Sequence, residues 1–169
     1  VSLAYSVDTI VTWSLPTVPI SLWLNALVGG PLLAAITLYA AQWRALAGRF
    51  GLLLMAVPFI ALAANAVVYI VQGRLLSGVT NSVVAAADLV PHYHTMLLAF
   101  ALMCFAGCML AAFTMHAVSR EAVAHGGGEL ALSKRVLVRL LASCLLVFAG
   151  VFVMRFAFYM MHLTVGLAV

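Results

Sequence analysis

Four long apolar runs, residues 19–41, 50–72, 93–118 and 136–163, occupy most of this chain. As helices rising 1.5 Å per residue, each is long enough to cross a hydrocarbon layer about 30 Å thick. Inside that layer the backbone has no water to bond, so only helices and closed barrels can span it. Ten-residue segments of alternating polarity are absent, which excludes a barrel. The fold class is therefore all-α, a polytopic membrane protein with four transmembrane helices forming a single transmembrane domain over residues 1–169. The charge content leads to the same class. Only eight Lys+Arg and four Asp+Glu occur in 169 residues, where a soluble domain carries about a quarter charged side chains. At 67% apolar and a mean hydropathy of +1.23, the chain is neither disordered nor a nucleic-acid binder. Cys104, Cys108 and Cys144 all fall inside apolar runs, so no disulfide framework is expected.

The first run is not a signal peptide, because it lacks a basic leading segment and follows Trp13 and Pro16. A start at Val rather than Met leads us to expect a fragment, a processed product or an alternative start codon. The basic residues then orient the helices. The first link holds Arg44 and Arg49 and the third Arg120, Lys134, Arg135 and Arg139, whereas the second link and both tails hold only Arg74. Cytoplasmic links collect Lys and Arg, so both termini and the second link are expected on the periplasmic side of a bacterial inner membrane. Trp13, Trp23, Tyr93 and Tyr159 would form an aromatic belt on that side and Trp43 one on the other. The second link, residues 73–91, contains a run at 80–89 that opens with Thr80, Asn81 and Ser82, good N-cap residues, and stops before Pro91. It reads as a short interfacial helix, either a spacer lying on the bilayer or a docking surface for an extrinsic partner.

Polar residues within hydrocarbon are costly and mark candidate sites. Arg155, Tyr159, His162 and Gly166 are spaced i, i+4, i+7, i+11, on one helical face. Cys144 and Phe148 extend this stripe. Asn65, Tyr69 and Gln72 repeat the spacing in the second run, and His92, His94, Asp88 and Arg74 lie at the same membrane level. Each has a plainer role available. Arg155 snorkels to the interface, His162 bonds at a helix end, Asn65 joins helices, and Cys104 and Cys108 only pack. Gly29-Gly30-Pro31 bends the first helix, and His116, Glu121 and His125 are surface residues of the opposite side. No zinc motif, phosphate loop or nucleophile triad is present. A pocket with one Arg, one His and one or two Tyr suits an amphipathic ring with two oxygens, since quinol oxidation needs hydrogen-bond donors and a proton acceptor near neutral pH. Two other readings stay open: a haem held by His94 and His162, and a transporter or channel lined by the same stripes.

Three stretches resemble a known family. Tyr5-Ser6-Val7-Asp8-Thr9-Ile10-Val11-Thr12-Trp13, followed by Val28-Gly29-Gly30-Pro31-Leu32-Leu33, is similar to the middle of the dimethyl sulfoxide reductase membrane anchor. Gln72-Gly73 with the segment from Ser82 to Tyr93 resembles its next extramembrane link, and the run from Arg155 to Val169 its final helix and tail. The family's anchor has eight helices, and the sequence matches the last four, its C-terminal half, so a fragment or a degenerate half is expected. The resemblance implies a non-catalytic anchor that takes electrons from menaquinol, binds no haem, and passes them to an iron–sulfur subunit. That subunit in turn feeds a molybdopterin catalytic subunit in anaerobic respiration. It would place Arg155, Tyr159 and His162 at the quinol pocket with Tyr69 and Gln72 opposite, and residues 73–91 and 1–17 against the iron–sulfur subunit. No metal site and no catalytic residue of its own are expected.

Overall fold

The computed structural model describes residues 10, 12–80, 85–124 and 132–161. Each apolar run satisfies its own backbone as one helix: α1 (Thr17–Ala40), α2 (Arg49–Leu76), α3 (Tyr93–Ala124) and α4 (Lys134–Met160). All four are long and apolar enough to span a bilayer. The protein is a multi-pass membrane protein. Two helices outrun the hydrophobic windows at their C-terminal ends, α2 past Gln72 to Leu76 and α3 past Val118 to Ala124. The window marks the hydrocarbon, whereas a helix persists into the interface as long as its residues favour one.

The helices alternate in direction and form a four-membered ring. α3 packs most extensively on α4 and α1 on α2, α2–α3 and α1–α4 contacts close the ring, and the α1–α3 diagonal barely touches. The α3–α4 seam is close because glycine faces it from both sides. A methyl group on Gly107 would stand 2.7 Å from the Ser143 carbonyl oxygen, and one on Gly150 would stand 2.8 Å from the Cys104 sulfur. Small residues of this kind let helix backbones approach in lipid, where packing rather than the hydrophobic effect drives association.

Burial is inverted relative to a soluble protein. Asn65, Gln72 and Ser143 are buried, whereas Trp23, Leu53, Ile60, Leu145 and Phe152 are all more than half exposed. Such an apolar exterior suits lipid or further apolar helices and not water.

The turn after α1 is tight. Gln42 takes a left-handed φ of 54°, which allows Trp43 N–H to reach the Leu38 carbonyl at 3.0 Å and Gln42 N–H the Tyr39 carbonyl at 3.0 Å. This is a Schellman closure, with Gln where Gly is the usual residue. A 3₁₀ turn, Arg44–Ala47, leads into α2. At the same end of the bundle, Ser133 N–H donates to the Tyr39 hydroxyl at 2.9 Å and fixes the start of α4 against α1.

The second link differs in extent from the helix expected at 80–89. Among its described residues the helical part is a single 3₁₀ turn, Ala86–Leu89. Thr80 and Ala85 pair instead as an isolated antiparallel bridge, and Ala86 N–H bonds the Val79 carbonyl at 2.9 Å. A backbone that folds back to pair with itself at Thr80 cannot also begin a helix there. The capping signal is real as composition, but it is overridden by this pairing.

Candidate functional site

Polar side chains converge inside the ring at the end shared by the start of α1, the end of α2 and the end of α4. Asn65 Nδ2 donates to Asn25 Oδ1 at 2.7 Å, and Asn25 Nδ2 donates to the Tyr69 hydroxyl at 2.9 Å. This amide–amide–phenol chain joins α1 to α2. The Tyr93 ring lies over Gly73, where an added methyl would meet it at 2.8 Å. Its hydroxyl donates to the Tyr69 carbonyl at 2.8 Å and ties α3 to the same level. Phe100 meets the Tyr69 ring edge-on with centroids 5.2 Å apart. From α4, Arg155 holds its guanidinium carbon 5.2 Å from the Phe158 ring centre. The Trp13 ring stacks on Phe158 with centroids 4.8 Å apart and its indole N–H reaches the Phe158 carbonyl at 3.3 Å. The Thr12 hydroxyl donates to the Met161 carbonyl, which fastens the segment before α1 to the end of α4.

These contacts surround a cavity lined by Ser21, Tyr69, Gln72, Met154, Arg155, Phe158 and Met161. Its volume is about 10 Å³, room for one water molecule. Two of the lining residues keep unused hydrogen-bonding atoms. Gln72 Oε1 and Arg155 Nη2 are buried and have no hydrogen-bond partner among the described residues, and one turn or two deeper so does Asn65 Oδ1. Among the described residues the Gln72 amide nitrogen has only the Met161 sulfur, at 3.9 Å. A buried polar atom left unpaired costs about 1–3 kcal/mol. Such a cost concentrated in one place marks a site where a polar partner binds.

The family model described as DMSO reductase anchor subunit (DmsC) matches residues 1–161. The chain belongs to this family. It is 33% identical over 164 residues to an anaerobic dimethyl sulfoxide reductase chain of Escherichia coli (strain K12), covering 97% of this sequence and 51% of that one. Against a second anaerobic dimethyl sulfoxide reductase chain of the same organism, YnfH, it is 30% identical over 167 residues, covering 98% and 52%. The protein thus spans about half the length of the curated relatives it matches. No solved structure matches it.

In this member of the family, three of the five residues singled out from sequence, Tyr69, Gln72 and Arg155, come together on the cavity. Tyr159 does not. It is 52% exposed and stands edge-on to Trp13 with centroids 6.2 Å apart. An i, i+4 step turns a helix by about 40°, and because Arg155 already sits at the rim of the inner face, that turn carries Tyr159 onto the outer one. His162 lies outside the described residues. Tyr93, expected in the aromatic belt, is buried and braces Tyr69 instead, while the 67% exposed Trp23 keeps a belt position. His92, His94, Arg74 and Asp88 are exposed and stand off the cavity. Cys104 and Cys108 are buried in the packed core. Among the described residues no three His, Cys, Asp or Glu side chains group as metal ligands. Sequence reasoning missed Ser21 and Asn25. Their signal was available, two polar residues at i, i+4 in an otherwise apolar span.

Proposed function

We propose that this protein anchors a dimethyl sulfoxide reductase-type complex in the bacterial inner membrane and oxidises menaquinol there. The electrons would pass to an iron–sulfur subunit, which in turn supplies a molybdopterin catalytic subunit. The observation that carries the quinol part is the pair of unpartnered atoms on one cavity, the acceptor Gln72 Oε1 and the donor Arg155 Nη2. A quinol headgroup presents hydroxyls that donate, and after oxidation carbonyls that accept, so it complements both atoms. Oxidation releases two electrons to the iron–sulfur partner and two protons to water at the near end of the bundle. Ligand pockets enclose roughly 300–1,000 Å³, far more than the closed cavity. Entry of a ring therefore requires Met154, Arg155 and Met161, the lining residues with the longest flexible stems, to swing aside. Tyr69, held by Asn25, would supply a fixed hydroxyl, and His162, next in sequence after Met161, would accept a proton.

The test compares quinol-dependent electron transfer in the full complex with a quinol-independent dye assay of its catalytic subunit. Gln72→Leu removes one hydrogen bond at nearly constant volume. It should lower apparent quinol affinity roughly tenfold to hundredfold, the equivalent of about 1–3 kcal/mol, and spare the dye activity. Arg155→Leu should act more strongly, through loss of a charge-assisted bond, and His162→Leu should slow turnover. Normal quinol turnover in all three would place the quinol elsewhere.

A further inference from the structure

At the opposite end of the bundle an open, shallow groove of about 320 Å³ on α4 is lined by Val138 and by the aliphatic stems of Lys134, Arg135 and Arg139. Its three basic side chains are exposed, and none makes an ion pair with a described residue. Lys134 and Arg135 stand in the first turn of α4, which carries no acidic residue. There the helix dipole is positive and adds to their charge. Val138 begins an apolar strip that descends the outer face of α4, with Val138, Leu141 and Leu145 exposed by 63%, 45% and 71%. Those residues follow at i, i+3 and i+7, so three cationic side chains border an open apolar groove directly above a continuous lipid-facing track.

The geometry points to a binding site for an anionic phospholipid, its phosphate held by Lys134, Arg135 and Arg139 and one acyl chain lying along Val138, Leu141 and Leu145. A free phosphate shares the headgroup chemistry but has no use for the track, and a neutral lipid has no use for three cations. Basic pockets at helix ends recognise anionic headgroups in this way, each cation contributing about a factor of five in affinity.

The protein purified from membranes is exchanged into nanodiscs of phosphatidylcholine containing a minor fraction of phosphatidylglycerol, and the lipid retained on extraction is measured by native mass spectrometry. Wild type should retain phosphatidylglycerol preferentially. Arg135→Gln with Arg139→Gln should reduce that retention about twentyfold or more, whereas Arg49→Gln with Arg120→Gln, the same charge loss at the same end of the bundle, should leave it unchanged. Equal losses in the two pairs, or release of the lipid by excess inorganic phosphate, would overturn the site. A photoactivatable phosphatidylglycerol on the wild-type protein gives a readout independent of any variant. Crosslinks should map to residues 134–145, and mapping elsewhere would refute the assignment.

Discussion

Asn25 is the middle link of the buried polar network, donating to Tyr69 and accepting from Asn65. Replacing it by Leu strands two partners, whereas replacing Asn65 strands one and removes an acceptor that is already unpaired. Interhelical hydrogen bonds in membranes contribute about 0.6 kcal/mol on average, and an orphaned buried group costs about 1–3 kcal/mol. Asn25→Leu should therefore destabilise the bundle by about 2–6 kcal/mol and Asn65→Leu by less than about 1 kcal/mol, read from unfolding in increasing denaturing detergent. The reverse ranking would show that Asn25 is not the hub. At this scale the sequence was partly legible. Spacing along α2 and α4 pointed to Tyr69, Gln72 and Arg155, but Asn25 faces them from a different helix, and no spacing within one segment relates residues in two.

Between elements, the glycines of the α3–α4 seam set the distance of approach. Gly107→Val adds a branched side chain where even one methyl is 2.7 Å from a backbone oxygen. The helices must part, at an overpacking cost of about 1–3 kcal/mol. Gly30→Ala on α1 meets nothing within 4 Å, and the gain in helix propensity should leave stability unchanged or higher by about 0.5–1 kcal/mol. Thermal aggregation in mild detergent, scored for both variants, distinguishes a seam built on glycine from a general intolerance of larger residues. The turn after α1 is open to improvement. Gln42→Gly relieves a left-handed backbone that costs a side-chain-bearing residue about 1–2 kcal/mol, so the midpoint should rise in the same assay. The spans themselves were readable from hydrophobicity, which is a local property. The second link was readable only in part, since Thr80 and Ala85 pair with each other and its described helical residues are Ala86–Leu89, an arrangement that residue composition alone does not signal.

Across the whole molecule, Arg44, Arg49, Arg120, Lys134, Arg135 and Arg139 gather at one end of the ring, and Arg74 is at the other. A reporter inserted at Gly127, between α3 and α4, should thus be active only in the cytoplasm, and one at Gly78, between α2 and α3, only in the periplasm. The opposite pattern would invert the bundle and put the polar cavity on the cytoplasmic side. The number of spans, their approximate limits and this charge asymmetry are properties of the sequence itself, because the transfer of each segment into hydrocarbon depends on its own residues. Which side of each helix turns inward was decided only by tertiary packing. A helix apolar on all sides carries almost no moment to orient it, so the inward placement of Asn25, Gln72 and Arg155, and the outward turn of Tyr159, come from close approach at glycine and from hydrogen bonds between helices, which exist only once the four have assembled.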